Sequence, residues 1–308
     1  MPGSWPTPRG TRFGRRPDRP LSRLAEWGRR SPWFVKIPAK VTLSHVPGGR
    51  SLAHRIGAFN HGPMLSPRYA ITTFDEHFDR TMGSAPREGF TCLEVGPGES
   101  LSSALVARAR GASQTWLVDV APFASAELAD YGPLRAALAP DLDTAGVGSV
   151  DELLTRCKAR YLTEGIASLR EVPTASVDFA WSQAVLEHVR VRDMDPLLAE
   201  LRRVLKPAGV SSHRIDLEDH LDRGLNNLRF SDRLWEASWM AGSGFYTNRL
   251  RYEDLLQRFR EAGFAPDVIH TDWWDALPLP RARMAPEFRD LPLDDLLVSG
   301  FDVILRPV

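Results

Sequence analysis

From residue 91 onward, short apolar runs alternate with segments whose apolar residues recur every three or four positions. The runs TCLEVG (91–96), TWLVDV (115–120), VDFAWS (177–182) and VSSHRID (210–216) have strand length and end at turn-forming or charged residues. Between the last two, DMDPLLAELRRVL places Leu197, Leu198, Leu201, Val204 and Leu205 on one helix face, and Pro207 and Gly209 stop it. Farther on, RYEDLLQRFREAGF predicts a helix closed by Gly263, and DVIHT and FDVILRP predict two late strands. Apolar strands alternating with amphipathic helices imply an α/β domain, its mostly parallel sheet covered by helices on both faces.

The chain before this domain has a different texture. Residues 1–22 combine proline, glycine and arginine without apolar periodicity, which predicts a flexible basic tail. Residues 23–88 mix short helical pieces with loops, and Tyr69, Phe74 and Phe78 have helix-face spacing, so a helical N-terminal cap is expected there. The α/β domain then occupies 89–308, with an insertion at about 217–250 too long for a simple connection. Acidic and basic residues balance at 39 each, so the overall charge gives no reason to expect a nucleic-acid or membrane partner. Cys92 and Cys157 lack metal spacing, no apolar run reaches membrane length, and the basic start has no hydrophobic signal core. A cytoplasmic protein without disulfides is the expectation.

In CLEVGPGESLSSALVARA a buried strand runs through Gly96 and Gly98 into a helix opened by Ser100. Glycines at such a turn let a ligand approach the backbone, and the helix start offers free N–H groups to an anion. Asp119 closes the next strand about 20 residues on, where a carboxylate of a two-layer nucleotide fold meets ribose hydroxyls. Glu94, inside the first strand, is a buried carboxylate that needs a donor such as a ligand ammonium. A nicotinamide-dependent oxidoreductase uses the same turn, but the third glycine of its fingerprint is missing, since Glu99, Ser100 and Leu101 follow Gly98.

LEVGPGES, LVDV, VDFAWSQAVLEHV and LRRVLKPAGV, in this order, resemble the motifs of class I methyltransferases that use S-adenosylmethionine. The resemblance covers roughly 90–306 and implies a Rossmann-like seven-stranded sheet whose last strand, FDVILRP, is antiparallel. It implies that Glu94, Gly96, Gly98 and Ser100 shape the methionine and ribose pocket, that Asp119 takes the ribose diol and that Val120 lies beside the adenine. Gly165 and Ile166 are expected at the adenine amine, where the family often has an acidic residue, and Ser182 and Gln183 near the reacting methyl.

VSSHRIDLEDHL (210–221) then falls at the ligand edge of the sheet. An alcohol acceptor must lose a proton as it is methylated, and a histidine base suits that near neutral pH. His213 is expected as the base with Asp216 beside it, and His188 in LEHV is the second candidate; the competing reading of His213 is a satisfied core histidine. Asp216, Asp219 and His220 have the donor types of a divalent-metal site, although solvated charges are the preferred reading. Asp219, His220, Trp235, Tyr246, Asn248 and Arg249 are expected at the acceptor, a mixture of aromatic faces and polar heads suited to a sugar or polar ring. With HRIDLEDH and YTNRLR, this region resembles methyltransferases of bacterial glycan and natural-product pathways, and that resemblance implies O-methylation of a hydroxyl on a sugar, glycan or related small molecule. The alternatives are N- or C-methylation of a non-sugar natural product, a nicotinamide oxidoreductase, and an idle methyltransferase-like subunit that binds a partner.

Overall fold

The computed structural model describes residues 64–83 and 88–308. The expected tail at 1–22 and most of the expected cap lie outside them. Its last helix, α1 (Pro67–Met82), is described and buries Phe74 and Phe78 as their spacing predicts. α1 belongs to the same compact unit as the sheet, His61–Val308, so the cap boundary expected near residue 88 falls inside one folding unit.

Seven strands form one sheet: β1 (Thr91–Val95), β2 (Gln114–Val118), β3 (Ala159–Leu162), β4 (Val177–Gln183), β5 (Leu205–Asp216), β6 (Phe264–Trp273) and β7 (Val298–Pro307), in the order β3-β2-β1-β4-β5-β7-β6. β1 to β5 pair in parallel, whereas β7 runs antiparallel to both β5 and β6. The chain therefore has the Rossmann-like, mostly parallel seven-stranded sheet with an antiparallel last strand that its motifs led us to expect. Side chains alternate across each strand. Leu93 and Val95 enter one core with Leu197, Leu198, Leu201, Leu255 and Phe259, and Cys92 enters the other with Phe74, Phe78, Ala104 and Leu105. The first core lies under α4 (Val191–Val204) and α5 (Tyr252–Glu261), the second under α1, α2 (Ser102–Ala109) and α3 (Val150–Arg156).

α4 ends at Val204 and the chain passes directly into β5, two residues before the proline expected to stop it. Gly209 is sterically required here, because a Cβ would stand 2.8 Å from the Val177 carbonyl oxygen. β6 contains a bulge between Val268 and His270. Val268 pairs with Val303 and His270 with Asp302, so the extra residue Ile269 shifts the side-chain phase of the strand.

The insertion after β5 forms three short helical turns, Asn226–Arg229, Asp232–Trp235 and Ser238–Ala241. It shares a small core with the β6–β7 connection, which the sequence pattern had not separated out: Leu225 and Leu228 pack with Leu279, Met284, Phe288 and Leu296. Arg251 ties both segments to the sheet. Its buried guanidinium donates to the carbonyl oxygens of Leu217 (2.9 Å), Asp295 (3.1 Å), Leu296 (3.3 Å) and Val298 (2.5 Å). Burial lowers its pKa to about 10, partly offset by Asp295 and Asp254, so it remains a cation at neutral pH. Lysine cannot reproduce this planar fork. Arg251→Lys is expected to lower the unfolding free energy by about 1.5–3 kcal/mol, the worth of a hydrogen bond to a charged group, as measured by urea denaturation.

Candidate functional site

The carboxyl ends of β1, β2, β4 and β5 converge on one edge of the sheet. At β1 the chain turns through Gly96 (φ 73°) and Gly98 (φ 63°), both in the left-handed region that favours glycine. A Cβ on Gly96 would lie 2.6 Å from both methyl carbons of Val185. The turn is fastened to the end of β2, where one carboxylate oxygen of Asp119 accepts from Gly98 N at 2.9 Å and the other from Val120 N at 2.7 Å. Burial raises the Asp119 carboxyl, and these two amides oppose the shift. Just before α2, whose N-cap is Leu101, Ser100 Oγ accepts from Ser102 N at 3.2 Å.

Glu94 is buried and accepts a very short hydrogen bond from Ser103 Oγ. Burial pushes its carboxyl up to about 8, against the opposing pull of Ser103. Val120 stands 72 % exposed, an uncommon position for valine on a folded surface. Behind it, Gly165 N donates to Asp119 O at 2.8 Å, and a Cβ on Gly165 would approach Val120 Cγ1 to 3.3 Å. Ile166 packs into the core on the α4 and α5 side. The sequence-predicted residues Glu94, Gly96, Gly98, Ser100, Asp119, Val120 and Gly165 thus cluster at the ends of β1 and β2.

The polar residues of β4 and β5 divide between the two faces of the sheet. Ser182 and His213 face the α4 and α5 side and are wholly buried. His213 Nδ1 pairs with Ser182 Oγ at 2.7 Å, and its Nε2 with Ser211 Oγ at 2.5 Å. Burial holds His213 down at about 3, with His77 adding to the effect. With both ring nitrogens engaged and no exposed surface, His213 is a satisfied core histidine, which corrects the expectation of a general base there. Ser182 is likewise committed to His213 instead of facing the edge.

Gln183 points to the opposite face, toward α1. His77 of α1, which sequence reasoning had passed over, donates from Nε2 to Gln183 Oε1 at 2.9 Å and accepts from Ser212 Oγ at Nδ1, 2.7 Å. The carbonyl oxygen of Gln183 is a pure acceptor, which fixes this tautomer. Burial lowers His77 to about 4, partly countered by the Gln183 bond. The next residue, Ala184, has φ 52°, a strained backbone that turns the chain sharply after Gln183.

His188 and His220 project from the loops after β4 and β5 with ring centroids 4.8 Å apart, and both are exposed. His188 Nδ1 donates to the Tyr246 carbonyl oxygen at 2.9 Å, so in the neutral ring Nε2 is the basic nitrogen. Asp216 binds Arg214 at 3.0 Å. Asp219 is buried and holds its own loop, accepting from Leu221 N, Asp222 N and Asn226 N at 2.9, 2.7 and 2.5 Å. Asp219 therefore shapes a turn instead of presenting a carboxylate to a ligand. Among the described residues no group of three or more His, Cys, Asp or Glu is placed to hold a metal ion, Asp216, Asp219 and His220 included.

The expected acceptor residues of the insertion are also corrected by their burial. Trp235 is wholly buried, donates from Nε1 to the Thr247 carbonyl oxygen at 2.7 Å and stacks on Phe230. Arg249 lies over the rings of Trp235 and Phe288 and pairs with Asp232 at 2.5 Å. Asn248 donates to the Leu186 and Val189 carbonyl oxygens, pinning the loop after β4. Tyr246 donates to Glu236. All four consolidate the insertion core. One-turn aromatic spacing in sequence does not distinguish a stacking surface from a packed one.

Residues 93–212 match the family model of a methyltransferase domain. No curated protein sequence matches the chain significantly. Among solved structures, the Burkholderia thailandensis 1,6-didemethyltoxoflavin-N1-methyltransferase is 15 % identical with a TM-score of 0.44, covering 88 % of this chain and 88 % of that one. An arsenic (III) S-adenosylmethionine methyltransferase from Chlamydomonas reinhardtii is 20 % identical with a TM-score of 0.41, covering 80 % and 73 %. The Haemonchus contortus phosphoethanolamine N-methyltransferase 2 is 15 % identical with a TM-score of 0.43, covering 77 % of this chain and 53 % of that one. None of these likenesses bears on the substrate.

The buried imidazole of His77 gives a pH signature. Its folded pKa, about 4, lies below the unfolded value of 6.5, so the unfolded chain binds more protons between these values. The stability it contributes is complete above pH 6.5 and is lost as the pH falls toward 4. Glu94, raised from 4.5 to about 8, has the opposite sign: its contribution is complete below 4.5 and declines as the pH rises toward 8. Urea unfolding between pH 7 and 4 is expected to show a smaller acid loss in His77→Gln than in the native chain, and an unchanged acid limb would contradict this assignment.

Proposed function

We propose that the protein is an S-adenosylmethionine-dependent methyltransferase that methylates a hydroxyl group of a sugar or related small molecule. The observation that carries the first half is the Gly96–Gly98 turn, fastened by Asp119 and lying within the region that matches a methyltransferase domain. The left-handed glycines carry the chain through a tight turn packed on Val185 and Met64, and the start of α2 follows directly.

In this reading, the Asp119 carboxylate takes the ribose hydroxyls while retaining its bond to Gly98 N. Exposed Val120 offers an apolar face to a flat ring, and the Gly165 backbone packs behind it. Glu94 meets the ammonium of the methionine part. Because burial holds this carboxyl near 8, it is largely protonated in the free protein at pH 7, and a cation beside it favours ionisation. Binding then releases a proton.

The methyl group of the sulfonium is transferred in line to the acceptor oxygen, and the protein's main contribution is alignment, worth up to roughly 7–11 kcal/mol. His188 is the base of choice. Its exposed ring has Nδ1–H fixed by the Tyr246 carbonyl, which makes Nε2 the atom that takes the hydroxyl proton. Gln183, with its amide oriented by His77, contributes N–H donors at the end of β4.

S-adenosylhomocysteine at 100 times its Kd is expected to stabilise the protein by about 2.7 kcal/mol in thermal unfolding, with no stabilisation by nicotinamide dinucleotides. The reverse pattern would favour an oxidoreductase. In calorimetry, the binding enthalpy should vary with the ionisation enthalpy of the buffer, and this dependence should vanish in Glu94→Gln. Asp119→Ala should weaken S-adenosylhomocysteine binding. His188→Ala should leave that affinity unchanged while lowering kcat about 10²–10⁴-fold.

A further inference from the structure

The sheet register aligns Gln183 of β4, Arg214 of β5, Asp302 of β7 and His270 of β6 in one row across four adjacent strands. Together with Glu76 and Arg80, one turn apart on α1, they line a cavity of about 380 Å³. We infer that this row is the floor of an acceptor trough, built for an uncharged, hydroxyl-rich ligand longer than one sugar ring. The inference rests on the methyl-transfer reading and specifies the substrate class of that site.

The row exists because of the bulge in β6. Val268 faces the core on the α4 and α5 side and pairs with Val303. In a regular strand the next residue, Ile269, would stand opposite Asp302 on the α1 face. The bulge places His270 there and leaves Ile269 40 % exposed. Bulges that re-aim a side chain in this way are over-represented beside functional sites.

A second construction holds Arg214 in the floor. Its guanidinium is gripped by Asp216 on its own strand at 3.0 Å and by Asp272 of β6 at 2.7 Å. To reach Asp272 it must cross β7, and it does so over Gly300, where a Cβ would lie 2.6 Å from Arg214 Nη2. Gly300 pairs with Asp216 on one side and Asp272 on the other.

The lining decides the ligand class. None of the six side chains is aliphatic, and the single ring among them, the His270 imidazole, is polar and bonded to Asp272, so a flat apolar ring would find little to pack against. Arg80 pairs with Asp302 at 3.2 Å, and Arg214 with Asp216 and Asp272. His270 bonds Asp272 at 3.0 Å. An anion would face the carboxylates of Glu76, Asp216, Asp272 and Asp302 against two guanidiniums. A cation would gain chiefly from Glu76 at the surface, worth about 0–1 kcal/mol. Donors from Gln183 and Arg214 alternate with the acceptors of Asp302 and Glu76, which suits hydroxyl groups that do both.

Four strands span three gaps of about 4.8 Å, so the floor is about 14 Å long. That length exceeds one sugar ring and places His270 too far from Gln183 to serve the same reacting oxygen. His270 is thus a specificity residue for the distal ring.

The test uses full-length protein saturated with S-adenosylhomocysteine on an array of neutral mono- and oligosaccharides, uronic acids, amines and aryl glycosides. Binding is expected for neutral saccharides of two or more rings. In His270→Ala and Asp302→Asn the affinity for the best of these should fall roughly tenfold, the loss of one hydrogen bond in a shielded site, with S-adenosylhomocysteine affinity unchanged. His270 is 57 % exposed at its side chain, so its variant retains the fold even if Asp302→Asn does not. No saccharide bound, binding confined to charged or aryl compounds, or native affinity in His270→Ala would overturn the inference. Failure to bind S-adenosylhomocysteine would instead strike the methyl-transfer reading beneath it.

Discussion

The buried guanidinium of Arg251 holds the two long connections around β6 and β7 to the sheet. Four carbonyl groups from the end of β5, the β6–β7 connection and the start of β7 have no other way of meeting in an apolar interior. Both insertions depend on this junction, because the small core shared by Leu225, Leu228 and Phe288 closes only if the two segments leave the sheet side by side. β7 begins at this junction, and Gly300 and Asp302 follow within a few residues. The position of the polar row across β4 to β6 is therefore set by a residue that lies outside it.

The two halves of the edge are built differently. At the ends of β1 and β2 the backbone is the instrument: glycines with positive φ, amides pointing at Asp119 and a helix start. At the ends of β4 to β7 the work falls to side chains held by other side chains, with His77 orienting Gln183 and two aspartates fixing Arg214. A backbone site recognises a group common to many ligands, whereas a side-chain site is altered by single substitutions without disturbing the sheet.

This contrast explains what the sequence made legible. Strand and helix placement followed from apolar periodicity, and the glycine turn with Asp119 followed from spacing, because both are properties of contiguous residues. The fates of His213, Trp235 and Arg249 depend on which face a neighbour occupies. His213 looked like a base because its type and edge position were right, yet Ser182 and Ser211, on adjacent strands, consume both nitrogens. His270 gave no signal, because the bulge that turns it toward Asp302 arises from pairing between strands more than thirty residues apart. His77 lay hidden in a helix whose aromatic spacing advertised only packing.

The bulge at Ile269 also governs how the protein can change over generations. Loss of the His270 codon would restore regular alternation, set Ile269 opposite Asp302 and exchange an imidazole for a sec-butyl group, with the rest of β6 keeping its pairing to β7. The side chain opposite Asp302 is thereby set by the length of the strand as well as by its residues. Because β6 is the outermost strand, paired only with β7, a change of length there disturbs a single ladder of the sheet.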